Sequence, residues 1–399
     1  MKCADLPSSS FFKPDKLICQ MATTKLQSFH LIRNDPYHRM KAMNNQTKPI
    51  RSLIVGMGGL SNAMSKFLRQ YDWQRIVGVV DVRPQSLEKA QHELDLPDDA
   101  LFTDLTRALA ESEADVVLIN TPSELHFAQC QAALLAGKDV LVAKPITNNF
   151  EQAVELVELA ASLGRKLCVG QQMRFHRHFQ AVRSFIAGGA LGRVEMVNFL
   201  NAKPRHQALN LKGMAQPVLY EISCHHFDSL LAVFPNHVPE SIYCDGFRPS
   251  WSVYDGPCSV NALIHWSDGL HMLYHAGISS QSDLYEFRLE GERGALRCRG
   301  LHMSNDTMHY DFALRGDNFA ERAIDADTPL VSPWTIFFEQ WRSYMTTGAL
   351  PDGTEPHFTG RNNLKVFAML SAGIDSINEG RSVAVAGNPR YQRAFESYS

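Results

Sequence analysis

The sequence predicts a two-part chain: a doubly wound parallel sheet over residues 50–171, then an α+β region over 172–390 with an open, mainly antiparallel sheet. Three observations predict it. Short apolar runs recur up to residue 170, most of them followed by a stretch of helical spacing. A glycine-rich turn follows the first run. Beyond Gly192 apolar and polar residues alternate, with Asp268-Gly269 between two such segments.

Length and composition set the frame. At 399 residues the chain exceeds one core, and 45% hydrophobic with 20% charged residues is ordinary for a folded protein. A formal charge of −3 gives no footprint for nucleic acid. No run is long and apolar enough to span a membrane. The eight cysteines include no C-x-x-C pair, so reduced thiols and a cytoplasmic enzyme are expected, with no metal site. Residues 1–49 carry eight Lys/Arg against three acids and no hydrophobic period. They are expected to be a disordered extension or the product of an upstream start, with Met21, Met40 or Met43 as alternative first residues.

The elements follow in order. Leu53-Ile54-Val55 marks the first strand and Ser61 to Gln70 a helix; Arg75 to Asp81 is the second strand, and residues 85–93 a polar helix. Asp115 to Asn120 is a strand, followed by a helix to about Leu135. Asp139 to Ala143 is another, with a helix over 150–163, and Lys166 to Gly170 closes the set. In such a sheet ligands lie beyond the carboxyl ends of the strands. There the sequence has Gly56-Met57-Gly58-Gly59-Leu60-Ser61. Gly56 suits a tight turn, and Gly58 lets backbone approach a pyrophosphate held at a helix N-terminus. Ser61 stands at the third small position. Asp81, ending the second strand, is placed to accept ribose hydroxyls and repel a 2′-phosphate, favouring NAD; Arg83 keeps NADP open.

Lys144 ends the next-to-last strand of this half, and Pro145 restricts it to an extended backbone. A partly desolvated lysine there could exchange protons near neutral pH. The glycine turn, Asp81, Thr121-Pro122 with His126, Lys144-Pro145 and Arg174-Phe175 together resemble the Gfo/Idh/MocA oxidoreductase family over about residues 50–390. That resemblance implies an NAD(P)-binding Rossmann domain, with Gly56, Met57, Gly58, Gly59, Leu60, Asp81, Arg83, Asn120, Thr121, Pro122, His126, Lys144 and Gln172 toward the cofactor. It also implies a catalytic helix. Glu221, His225 and Asp228 match its acidic, histidine and acidic positions, so Lys144 and His225 are expected to be catalytic. At i, i+4 and i+7 these three would share a helical face. Neighbouring helical residues point about 100° apart, which argues against Cys224-His225-His226 as a zinc site. The chain departs from the family's pattern at Ala143, where a glutamate is usual, at Glu221, where an aspartate is, and at Ser223, where a glycine is.

In the second half, Val194 to Phe199, Ser259 to Trp266, Leu270 to His275 and Tyr285 to Leu289 alternate as strands. Trp334, Phe337, Phe338, Trp341 and Met345 form a helical stripe, and residues 360–379 a helix stopped by Gly380; both are expected to return to the first domain. Residues 391–399 read as a tail. Lys203, Arg205, His206 and Lys212 precede the catalytic helix, and Lys203 and Arg205, with Arg174, Glu221 and Asp228, are candidate substrate contacts. The expectation is hydride transfer between NAD(P) and a sugar, polyol or related alcohol by a homodimer or homotetramer joined through the second sheet. A glycosidase using transient oxidation and a non-catalytic sugar sensor are the alternatives.

Overall fold

The computed structural model describes residues 48–301, 307–321 and 331–396. The expected basic extension, apart from Lys48 and Pro49, lies outside these described residues.

Strands β1 (Ile50–Val55), β2 (Gln74–Val80), β3 (Leu101–Phe102), β4 (Val116–Ile119), β5 (Asp139–Val142) and β6 (Leu167–Val169) form one parallel sheet in the order β3-β2-β1-β4-β5-β6. Helices α1 (Gly59–Leu68), α2 (Pro84–Leu94), α3 (Leu105–Glu111), α4 (His126–Leu135) and α5 (Phe150–Ser162) make the crossovers. All four residues of β4 are fully buried, as a strand covered on both faces requires. The order reverses between β1 and β4, which opens a crevice at their carboxyl ends. The pair β3 and α3 was not expected. Two residues of strand carry no readable period, and α3 is marked instead by Asp104, whose carboxylate caps the Arg107 N–H at 2.8 Å.

The second half begins with α6 (Arg177–Ala187) and β7 (Val194–Pro204), then α7 (Cys224–Val233) after a π-helical turn over Leu219–Ser223. Strands β8 (Pro239–Phe247), β9 (Ser259–Trp266), β10 (His271–Gly277), β11 (Ser279–Gly291), β12 (Gly294–Gly300), β13 (His309–Leu314) and β14 (Ala320–Glu321) follow. Next come α8 (Pro333–Thr347), α9 (Gly360–Glu379) and β15 (Val383–Ala384). The sheet order is β14-β13-β12-β11-β7-β10-β9-β8-β15, antiparallel except where β7 meets β10. Asp268 and Gly269 turn β9 into β10 with φ of 60° and 75°, the left-handed region in which their residue types are least penalised.

Helices α8 and α9 return to the first domain. The stripe on α8 buries Phe337, Phe338 and Trp341 completely; Phe338 stacks on Phe67 and Trp341 meets Trp73. Helix α9 packs between β8 and α5 and ends at Gly380 with φ 64°. Residues 391–396 are not a free tail. Tyr391 is fully buried with its ring edge-on to Phe150, and Arg390 pairs with Glu151 of α5 at 2.7 Å. A lone aromatic near a chain end carries no periodic signal, so this dock was not legible.

Candidate functional site

The β1–α1 turn is tight at Gly56 and open at its outer side. Gly56 has φ 86°, and a Cβ there would meet Thr121 Cγ2 at 2.9 Å and the Asn120 carbonyl at 3.1 Å, so only glycine fits. A Cβ on Gly58 or Gly59 would meet nothing within 4 Å, and α1 opens with no side chain capping its first N–H groups. Those groups and that open space are what an anion at a helix N-terminus needs. Ser61 donates its hydroxyl to the Gly56 carbonyl, so the small residue in place of the third glycine stitches the turn. Leu60 lies in the first turn of α1. At the neighbouring strand end, Asn120 Oδ1 is buried without a partner, which a bound dinucleotide could satisfy.

Asp81 sits where expected, but its oxygens are already engaged. Oδ2 accepts from the Met57 N–H at 2.8 Å and Arg83 Nη2 at 3.2 Å; Oδ1 accepts from the Arg83 N–H at 2.9 Å and Nε at 3.1 Å. Burial opposes the carboxylate, yet these donors hold its carboxyl below the usual value. Four donors fill a carboxylate's accepting sites. The Arg83 side chain that supplies two of them is exposed, whereas Asp81 is buried.

His126, expected against the cofactor, points into the protein. Nδ1 lies 2.8 Å from the Pro145 carbonyl and Nε2 2.9 Å from that of Thr121, and burial lowers the pKa of the ring. The imidazole braces the Thr121-Pro122 loop against the loop after β5. Thr121 also donates its hydroxyl to Gln129 at 2.5 Å, while Pro122 is exposed. Gln172 leads into a short 3-10 turn and is only partly buried; the residue reaching the catalytic helix is its neighbour Gln171, 1% exposed. Two adjacent glutamines after a glycine give no sequence signal for which one turns inward.

Lys144 lies two residues past β5, just before a cis bond to Pro145, and its side chain reaches the second domain. Its Nζ lies 2.6 Å from Glu221 Oε2 and 2.9 Å from the Glu221 carbonyl, and Arg205 Nη1 lies 2.9 Å from Oε1. The widened π turn is where that carbonyl accepts from Lys144. Burial works against the charge on Glu221, but Lys144 and Arg205 outweigh it and hold the carboxyl below its usual range. Lys203, two residues before Arg205, makes no ion pair with Glu221; burial and the Arg205 charge lower its pKa against the pull of Asp283.

Of Glu221, His225 and Asp228, expected on one helical face, only Asp228 is fully buried; Glu221 and His225 are partly exposed. Glu221 lies in the π turn and the other two in α7 proper. His225 Nδ1 lies 3.1 Å from Gln171 Oε1. Asp228 is fully buried and clasped by Arg174, with Nε at 2.9 Å and Nη2 at 2.5 Å. Asp228 and Arg174 thus bond each other.

A Rossmann crevice with a lysine on its own rim, facing a carboxylate beside a histidine from the second domain, defines an NAD(P)-dependent oxidoreductase. Residues 50–171 match the Gfo/Idh/MocA oxidoreductase family's NAD-binding Rossmann fold, and residues 179–297 its C-terminal domain. The chain belongs to the Gfo/Idh/MocA oxidoreductase family. An inositol 2-dehydrogenase of Rhizobium meliloti is 23% identical over 344 residues, 84% of this chain and 99% of that one. Two solved structures share the fold. One is an aldose-aldose oxidoreductase of Caulobacter crescentus complexed with glycerol (TM-score 0.71, 19% identity, 84% of this chain and 100% of that chain). The other is an inositol dehydrogenase homologue of Azotobacter vinelandii complexed with NADH and myo-inositol (TM-score 0.71, 19% identity, 85% and 98%).

Proposed function

We propose that this enzyme transfers a hydride between NAD(P) and a carbinol carbon of a sugar, polyol or sugar derivative. The observation carrying the proposal is the ion pair by which Lys144, from the end of β5, meets Glu221 of the helical segment that also holds His225. A secondary alcohol losing hydride must also lose its hydroxyl proton, and an amine, a carboxylate and an imidazole are the groups that manage that proton. The cofactor supplies the hydride chemistry when bound, held by the Gly56 turn, Asp81 and Asn120. Lys144 exchanges the hydroxyl proton, His225 orients the hydroxyl, and Glu221 accepts from neighbouring hydroxyls.

Two cations, Lys144 and Arg205, share the single Glu221 carboxylate. That excess positive charge suits a substrate bearing a carboxylate, which Arg205 would hold. Screening myo-inositol, neutral aldoses and uronic acids with NAD and NADP, followed by NADH or NADPH absorbance, tests the reading. Turnover of a polyol, aldose or uronate supports it. Glycoside cleavage without net NADH, or tight NAD binding with no turnover across the panel, overturns it.

Subunits associate, in this proposal, through the outer face of the second sheet. There Tyr243, Leu263 and Leu273 lie side by side on β8, β9 and β10 and are exposed. Among the described residues no helix is long and apolar enough to cross a membrane.

A further inference from the structure

His225 is the one catalytic candidate whose chemistry depends on which ring nitrogen carries the proton. Its partner, Gln171, is an almost fully buried amide, and such a group must satisfy both its ends. The amide nitrogen lies 3.4 Å from the Cys224 carbonyl, and Oε1 lies 3.1 Å from His225 Nδ1. A carbonyl can only accept, so the NH₂ group must occupy the Cys224 side and the oxygen must face the ring. An amide oxygen also only accepts, so Nδ1 carries the hydrogen. A neutral imidazole has one N–H, and Nε2 keeps its lone pair. The main chain of Gln171 is fixed as well, its N–H donating to the Val169 carbonyl at 2.8 Å and its carbonyl accepting from His357 Nε2 at 3.4 Å.

Titratable groups close to His225 along the chain, and His357 beside Gln171, have partners or states of their own. Glu221, one turn earlier, holds Lys144 and Arg205. Asp228, three residues later, holds Arg174. Burial pushes the Cys224 thiol up to about 12. Desolvation and the Arg174 guanidinium keep His357 well below its usual pKa, so it is neutral.

We propose that Gln171 is the positioning residue for His225, fixing the Nδ1–H tautomer and so presenting Nε2 as the acceptor for the substrate hydroxyl. Its part in catalysis rests on the reading of His225 given above; its hold on the ring does not. A carboxylate in place of the amide would hold imidazolium far more strongly than a neutral oxygen does.

The test uses the full chain labelled with ¹⁵N-histidine, with long-range ¹H–¹⁵N correlations reporting the tautomer. His225→Asn identifies the resonances of this ring among the sixteen histidines. The wild type is expected to show protonated Nδ1 and bare Nε2. Gln171→Leu is expected to mix the two tautomers. Gln171→Glu, nearly isosteric, should raise the titration midpoint of the ring by about 1–3 pH units. The rising limb of NAD-linked oxidation should move to higher pH with it, because the acceptor ring must be uncharged. If Gln171→Leu fails to fold, the glutamate variant carries the test alone. A wild-type ring protonated on Nε2, or a Gln171→Glu midpoint that does not move, overturns the proposal. The expected tautomer and shift together with undiminished turnover of His225→Asn would overturn the functional reading, and with it the catalytic role of Gln171, leaving only the hydrogen bond.

Discussion

Lys144 Nζ lies 2.6 Å from Glu221 Oε2, a contact that spans the two sheets of the enzyme. The residue before Lys144 is Ala143, which carries no charge, so the carboxylate facing the amine comes from the other domain. Glu221 reaches one methylene further than an aspartate would, and with that reach it takes Lys144 on one oxygen and Arg205 on the other.

That arrangement makes Glu221→Gln informative through pH. The carboxyl is depressed in the fold from an ordinary 4.5. Its stabilisation is therefore fully present above the unfolded value and is lost as pH falls through the lowered folded value. Thermal unfolding should show the variant less stable by about 1–3 kcal/mol near neutrality, the usual worth of charge-assisted hydrogen bonds. The gap between the two proteins should close below about pH 4. A gap that widens on acidification would contradict the assignment of charge.

Lys144→Ala should lower kcat on the screened alcohol by about 10²–10⁴, the range for a positioned acid–base group. NAD affinity, measured by fluorescence titration, should change little, because the diphosphate is held at the Gly56 turn. Loss of NAD binding with kcat preserved would move Lys144 from proton transfer to cofactor binding.

Much of this was legible, and the reasons differ by element. β4 is an unbroken run of Val, Leu and Ile, and β1 and β5 end in such runs, because the sheet is covered on both faces. The C-terminal end of α9 and the β9–β10 turn each carry a glycine with positive φ. The π turn at Leu219–Ser223 was not legible. Apolar spacing marks a helix there but not its widened π geometry. Nor was Gln171. All three residues of β6 are buried, so no alternation shows which of two following glutamines turns inward. Lys203 and Arg205 share a parity on the same stretch of chain, and only the three-dimensional reach of Arg205 separates them.

Arg174→Leu leaves the Asp228 carboxylate fully buried with no cation, and should cost about 3–5 kcal/mol in a urea titration. Asp228→Asn alone strands the guanidinium and should also destabilise. Arg174→Met with Asp228→Leu removes both charges and should recover most of the loss, since a buried pair often adds little net stability over apolar residues of similar size. If the double variant is no better than the singles, the pair does more than satisfy itself, and a direct role at the cleft returns.

Cofactor choice turns on Arg83. As folded, its side chain covers Asp81 through two of that carboxylate's four donors. NAD needs Asp81 to accept from the adenosine ribose, so the arginine must move away; NADP needs a cation for its 2′-phosphate, so the arginine must move toward the cofactor. Arg83→Ala removes both the obstacle and the phosphate partner. NAD affinity should hold or rise while NADP affinity falls, widening the preference for NAD by about tenfold, or about 1.4 kcal/mol. Asp81→Ala should do the reverse, weakening NAD and also loosening the Met57 N–H at the glycine turn. Isothermal titration of each variant with the two cofactors reads both effects. Equal losses of NAD and NADP on Arg83→Ala would show that the side chain stabilises the loop and takes no part in telling the cofactors apart.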